Sequence, residues 1–494
     1  MSGVALRPLE RLRPIEFRHL AVAGAFFLSA MIGLLAGVSP KLAIAAALGL
    51  AFVLVALGNL AFGVSAFAVI SYLELAPVAG GPALSFTKLA GLTLMISWLA
   101  TITAEGGGAK PLFFSAKPKL TIAIIFFAFW MTISATWAEV PANTWGSVLR
   151  YALNLAIFPI VFTAIREPKH MRWVTGAFVV GAALAAAYGL SQAPSNSAAA
   201  VSSTAAGDLD RATGTVGDPN LLASVLVVGI VMAGAVALDS VRSAAARLCS
   251  CGAMVLCMAA LIATASRGGV VALSAALIAS VIFAGPRYRA AAAVIATSIA
   301  VILIGFFAFV ASQAQVDRIT TADGGSGRTD IWKVGWRMFE ANPVHGVGEG
   351  NFQATSIHYV LAKPGAIDRV TFFVDEPTVA HNLYLEILAE IGVVGLAGFL
   401  AIVVLSIASA ANGARRFDRL EEPGLSMIAR AVIVGLAGTL AADFFLSAQL
   451  SKQLWILLAL GPAMQYVAIR MEGRRSPAGA QSGNAAISPV ASRS

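Results

Sequence analysis

Apolar runs alternate with short polar joints along almost the whole chain, and two longer polar stretches interrupt the rhythm. Runs approaching the roughly 20 residues that a helix needs to cross a hydrocarbon core fall near 19–38, 42–58, 61–76, 84–103, 120–137, 148–165 and 173–192. In the second half they fall near 221–238, 248–265, 268–284, 290–312, 383–410, 427–446 and 454–469. The third run is short and barely separated from the second, so the pattern predicts an all-α polytopic membrane protein of about 12–14 transmembrane helices. The two polar stretches, 194–216 and 313–380, are the long loops of this scheme.

Composition strengthens that reading: 58% of the 494 residues are hydrophobic and only 12% are charged, about half the charged share of a soluble domain. The net charge of +9 does not point to nucleic acid, because the basic residues sit in short clusters between apolar runs, as in cytoplasmic loops. One set of alternate loops holds Lys110, Lys117, Lys119, Arg166, Lys169, Arg172, Arg242, Arg247, Arg287, Arg289, Arg415, Arg416 and Arg419. The opposite set holds little besides Lys41, Arg267 and Lys452. The first set is therefore expected inside, with both termini, and both long polar loops face outward.

The first apolar run follows Arg7, Arg11, Arg13 and Arg18. It is long and runs almost directly into a second span, which favours an uncleaved helix over a signal peptide. The organisation expected is a tail over 1–18, a bundle over 19–312 with an outer loop at 193–217, a large outer loop over 313–382, further spans over 383–470 and a disordered tail over 471–494. Residues 195–206 are low in complexity and read as a flexible lead into the better-defined 210–220. Cys249, Cys251 and Cys257 lack partners at metal-ligand spacing and read as small core residues.

With so few charges available, the polar residues at membrane edges are the candidates for chemistry. Arg267 opens a tight outer turn, Ser266-Arg267-Gly268-Gly269. It is either a snorkelling anchor or an anion ligand, since a guanidinium at helix depth costs on the order of 2.5–3.5 kcal/mol. Arg328 leads an amphipathic stretch in which Ile331, Trp332, Gly335, Trp336 and Phe339 share helical spacing, with Asp330, Lys333, Arg337 and Glu340 elsewhere. This predicts a short helix on the outer membrane surface, ended by Asn342-Pro343. A cation at a helix start opposes the macrodipole, but a phosphate there would be bound by both the free N–H groups and the guanidinium fork.

His381 falls where the long outer loop re-enters as a helix, a place that favours neutral imidazole and so a general base. A lone histidine at a helix start is also an ordinary cap. Glu386 and Glu390 lie on one face of the same helix, able to orient the histidine or to pack against loop residues. His345 and His358 show no metal-ligand spacing with His381. The stretch from Gly346 to Phe352 lacks the strand and spacing of a nucleotide loop and reads as a flexible glycine-rich turn over an outer cavity.

Together, the stretch from Arg211 to Asn220, Ser266-Arg267-Gly268-Gly269, Gly327-Arg328-Thr329-Asp330-Ile331-Trp332, the stretch from Gly346 to Phe352, and His381-Asn382-Leu383-Tyr384-Leu385-Glu386 followed by Ile391-Gly392 resemble the O-antigen ligase and polysaccharide polymerase superfamily. The resemblance covers roughly 211–405; the first half matches only as a hydrophobic profile. It implies a multispanning fold resembling GT-C glycosyltransferases, in the bacterial inner membrane with the site facing the periplasm.

The implied activity is a metal-independent transfer, without cofactor, of a glycan from undecaprenyl diphosphate to lipid A core or to a glycan acceptor. Arg267 and Arg328 would hold the diphosphate and His381 would activate the acceptor hydroxyl. Arg211, Asn220, Asn351, Asn382 and Glu386 would bind substrate, with membrane lipids and other polysaccharide assembly proteins as further partners. A flippase or exporter is the competing class, but such transporters show repeats or broken helices in both halves, and no such symmetry is visible. A structural scaffold would leave Arg267 and His381 unexplained.

Overall fold

The computed structural model describes residues 14–73, 86–104, 112–199, 211–285, 289–309, 328–361 and 378–475. The expectations for Lys110, Arg287, Gly327, 200–210, 313–327, 362–377 and the tail beyond 475 lie outside these residues. The chain is an all-α polytopic membrane protein, with no β-strand among the described residues.

The first half holds α1 (Pro14–Val38), α2 (Pro40–Gly58), α3 (Leu60–Ile70), α4 (Phe86–Ala104), the single turn α5 (Phe113–Ala116), α6 (Pro118–Ile133), α7 (Pro141–Leu155), α8 (Ile157–Ala164) and α9 (Pro168–Ala199). The second half holds α10 (Pro219–Leu238), α11 (Ala244–Ala263), α12 (Arg267–Phe283), α13 (Arg289–Phe309), α14 (Arg328–Ala341), α15 (Phe352–Leu361), α16 (Leu383–Arg419), α17 (Pro423–Ala442) and α18 (Lys452–Arg475). Among the described residues, eight helical stretches are long and apolar enough to cross a membrane, α7 and α8 together forming one of them. Six shorter apolar helices occupy the other expected span positions.

Several boundaries depart from the sequence pattern. Helix α9 continues past Gln192 to Ala199, through residues expected in a flexible loop, and α18 includes Arg474 and Arg475, expected in the tail. Of the cysteines only Cys257 is buried; Cys249 and Cys251 are exposed. Helix α11 turns one face to the bundle through Ser250, Cys257, Ala260 and Leu261, and the other two thiols fall off that face.

The core centres on Trp455, fully buried and met edge-on by Tyr151, Phe158 and Phe399 at centroid distances of 6.0, 6.3 and 6.3 Å. Its Nε1 donates to the Gln449 carbonyl at 2.8 Å. An irregular segment, 443–451, is thereby pinned to the core between α17 and α18.

Helix α16 is broken inside. Ile391 and Gly392 leave helical geometry, Gly392 with φ +66°, which frees backbone groups that a buried helix must have paired. Residues 343–348 fill the break. Val393 N–H donates to the Pro343 carbonyl (2.9 Å), Val347 N–H to Ala389 (3.0 Å) and Gly348 N–H to Glu390 (2.7 Å). The remaining carbonyl, of Ile391, accepts from Trp130 Nε1 at 2.9 Å. A Cβ on Gly392 would overlap the Val344 carbonyl, and one on Gly346 the Glu390 carbonyl. The glycine-rich stretch is thus a tight clamp rather than a flexible turn over a cavity.

Helix α14 is amphipathic as expected, but its buried face is rotated. Asp330, Ile331, Val334, Gly335 and Met338 are buried, and Gly335 sits against Leu385 and Phe352. The helix packs on α15 and α16, so its apolar face is spent on protein. Trp336, expected on that face, is exposed and donates to Glu340 at 2.8 Å.

Candidate active site

Four of the singled-out stretches meet at one end of the bundle, joined by named contacts. Asp218 caps α10, accepting from Asn220 N–H at 2.7 Å and Leu221 N–H at 2.8 Å. The Asn220 side-chain oxygen then accepts from Arg211 Nη2 at 3.1 Å and from Ser266 Oγ at 2.7 Å. Ser266 Oγ in turn caps α12 by accepting from Gly269 N–H at 3.1 Å. Arg211, buried, also donates from Nε to the Thr264 carbonyl at 2.8 Å. The outer stretch 211–220 and the turn carrying Arg267 are therefore one hydrogen-bonded unit.

Arg267 is exposed at the first position of α12. The residue two before it, Ala265, has φ +45°, a left-handed conformation that costs a non-glycine residue roughly 1–2 kcal/mol. Gly268 lies against Phe445, 3.4 Å from an added Cβ. The Phe445 ring faces Trp332 of α14 at 6.3 Å, and Trp332 Nε1 donates to the Ala380 carbonyl at 3.0 Å. Through these contacts the turn of Arg267, the helix led by Arg328 and the segment of His381 are neighbours.

His381 does not open α16. It has φ +49° and precedes the N-cap Asn382, whose side-chain oxygen accepts from Leu385 N–H at 3.0 Å. Its Nε2 lies 3.4 Å from Thr378 Oγ1. Burial lowers its pKa, and the nearby Arg328 charge lowers it further, against the opposing pull of Asp218. The neutral imidazole expected from the sequence is favoured, but by desolvation and a guanidinium rather than by a helix terminus. Asp218 and Arg328 are thus both within electrostatic reach of His381.

Three of the expected substrate-binding residues spend their polar atoms on the framework. Asn351 is fully buried; its oxygen accepts from Val140 N–H at 2.9 Å, and its amide donates to Thr144 Oγ1 and the Glu349 carbonyl, both at 3.0 Å. Asn382 is the cap just described. Glu386, buried, accepts from Ala380 N–H at 3.1 Å, from Gln449 Nε2 at 2.7 Å and from Ser447 Oγ. It braces the residue before His381 without bonding the ring. Glu390 takes the loop-packing role, accepting from Phe352 N–H at 2.8 Å.

Sequence reasoning missed Asp218 as a charge facing His381, and Phe445 as the wedge between Gly268 and Trp332. Asp218 carried a signal, the Asp-Pro-Asn of a helix start; Phe445 carried none. Glu349 was missed as well. It is buried, with Oε2 lacking a hydrogen-bond partner. Burial, and then the Glu386 carboxylate, raise its pKa above the ordinary carboxylate range.

Residues 252–400 match the family model described as O-antigen ligase. No curated protein matches the chain. The matched segment runs from α11 into α16 and contains Arg267, Arg328 and His381; Arg211 and Asn220 precede it and join it through Ser266. Through that segment the chain is similar to the O-antigen ligase family.

Proposed function

We propose that this protein transfers a glycan from undecaprenyl diphosphate, on the periplasmic face of a bacterial inner membrane, to an acceptor hydroxyl on lipid A core or on another glycan. The observation that carries the reading is the setting of His381: a half-buried imidazole kept towards its neutral form, with Arg328 beside it and the Arg267 turn linked through Trp332 and Phe445.

In the reaction, a ring nitrogen of His381 takes the proton of the acceptor hydroxyl. The freed oxygen bonds to the anomeric carbon of the donor sugar as the carbon–oxygen bond to the diphosphate breaks. The electron pair leaves on the diphosphate, where Arg267 and Arg328 stabilise the developing charge. A positioned base contributes about 10²–10⁴-fold. Arg211 and Asn220 hold the Arg267 turn in place, Asn382 and Glu386 fix the backbone that presents His381, and Asn351 ties its own turn to Val140 and Thr144.

The test is reconstitution of the purified protein with an undecaprenyl-diphosphate glycan and two acceptors, one core lipid and one lipid-linked repeat. His381→Asn suits the left-handed position, since asparagine tolerates it. The variant should keep wild-type protein levels and lose transfer to whichever acceptor the wild type uses. Full transfer by that variant would remove the assigned base, and transfer to neither acceptor by the wild type would remove the reaction.

A further inference from the structure

The backbone that presents His381 is pinned on both sides. The N–H of Ala380 donates to Glu386 at 3.1 Å, and the Ala380 carbonyl accepts from Trp332 Nε1 at 3.0 Å. On the far side Asn382 caps α16 through Leu385 N–H at 3.0 Å, and Leu383 N–H donates to the Asp443 and Leu446 carbonyls at 2.9 and 2.8 Å. Between these anchors His381 holds its left-handed φ of +49°, a conformation that a non-glycine residue keeps only where its surroundings over-determine it.

What the anchors leave open is the rotation of the ring. Arg328 and Asp218 act on its charge. Its one hydrogen bond among the described residues joins Nε2 to Oγ1 of Thr378, three residues earlier, at 3.4 Å. The contact is at the long end of the hydrogen-bonding range. Nδ1 has no hydrogen-bond partner among the described residues.

A hydroxyl both donates and accepts, so this contact admits two tautomers. If Thr378 donates, Nε2 is bare, Nδ1 carries the hydrogen, and the open nitrogen has no lone pair to offer. If Nε2–H donates to Thr378 Oγ1, Nδ1 is both bare and open. Only the second arrangement puts a base at the open nitrogen. It also serves both states of the ring: Nε2 keeps its hydrogen throughout, and its bond to Thr378 shortens and strengthens once the imidazole is charged.

We propose that Thr378 is the positioning residue of His381: its Oγ1 accepts from Nε2–H and so fixes the tautomer and rotation that leave Nδ1 to take the proton of the acceptor hydroxyl. This role rests on the reading of His381 as the base. In the step, the hydroxyl proton moves to Nδ1. The electron pair of the broken O–H bond stays on the oxygen and forms the bond to the anomeric carbon, while Nε2–H remains on Thr378. The imidazolium then gives the Nδ1 proton to water.

The test uses the full-length protein in detergent, its histidines labelled with NMR-active nitrogen, at a mildly alkaline pH where the imidazole is neutral. Protonated and bare ring nitrogens resonate far apart, and the His381 pair is the one missing from His381→Asn. The wild type should show hydrogen on Nε2 and a bare Nδ1. Thr378→Val keeps the shape of the side chain and removes the hydroxyl. It should give a mixture of tautomers and a kcat lower by about ten- to a hundredfold, with KM for the donor little changed. Thr378→Ser returns the hydroxyl and should restore both the spectrum and kcat. Hydrogen on Nδ1 in the wild type overturns the proposal, and that measurement needs no variant to fold. A Thr378→Val protein with the wild-type spectrum, or with the wild-type kcat, overturns it as well. Full transfer by His381→Asn overturns it through the base itself, whatever the spectrum shows, so the two failures are told apart.

Discussion

Gly392→Ala isolates the break in α16. Alanine at φ +66°, ψ −171° would enter a region essentially confined to glycine, at a cost of about 1–3 kcal/mol. Its Cβ would also overlap the Val344 carbonyl, and relieving such overpacking costs about 1–3 kcal/mol more. Pushing residues 343–345 away strains the Val393-to-Pro343 hydrogen bond as well, worth about 1 kcal/mol. The sum, roughly 3–7 kcal/mol, is a large part of the 5–15 kcal/mol typical of a folded domain. Thermal unfolding in detergent, followed by loss of monodisperse protein, should show a clear drop for Gly392→Ala. The control is Gly252→Ala in α11, where an added Cβ meets nothing within 4 Å; it should be neutral or slightly stabilising. A Gly392→Ala protein that melts with the wild type would mean that the clamp between 343–348 and α16 is not what holds this region.

Asp218→Asn keeps the α10 cap, which asparagine fills equally well, while removing the charge that raises the His381 pKa; since the imidazole acts as base when neutral, the acid limb of the transfer rate should move to lower pH, and no movement or an upward one would exclude the assignment. Arg267→Lys and Arg328→Lys should each impair donor use despite the retained charge, because the fork is lost, and the double variant should be little worse than the poorer single one if both hold one diphosphate; multiplicative losses would separate them. Glu349 has a raised pKa, so its contribution to stability is full below the ordinary carboxylate value and is lost as pH rises through the raised one. Glu349→Gln should therefore flatten the fall in unfolding temperature towards alkaline pH. Asn220→Leu leaves Arg211 and Ser266 without their shared acceptor and should lower the unfolding temperature by the equivalent of about 2–4 kcal/mol.

The helical architecture was legible in the sequence because hydrocarbon thickness and hydrophobic run length are the same physical quantity. The stretches around Arg267, Arg328 and His381 stood out because charge and polarity are costly in such a chain. What the pattern could not carry was which neighbour each face meets. The period of α14 identified an amphipathic helix, yet its burial extends to Asp330, Val334 and Met338 because Leu385 and Phe352, distant in sequence, define the surface it lies on. Asn351 reads as a loop asparagine; its partners Val140 and Thr144 come from a different part of the chain. Ile391-Gly392 sits in an apolar run that looks continuous, and the break is visible only once Pro343 and Trp130 are seen holding the freed backbone.

The start of α16 carries an implication for biosynthesis. Leu383 N–H donates to the carbonyls of Asp443 and Leu446 at 2.9 and 2.8 Å, while the clamp at Ile391–Gly392 is filled from residues 130 and 343–348. The clamp draws only on chain made before α16 leaves the ribosome. The turn of His381 depends on chain made after α17. A nascent protein halted at Arg419 would therefore hold every partner of the clamp but not those of the His381 turn, which makes the site one of the last parts of the molecule to be completed.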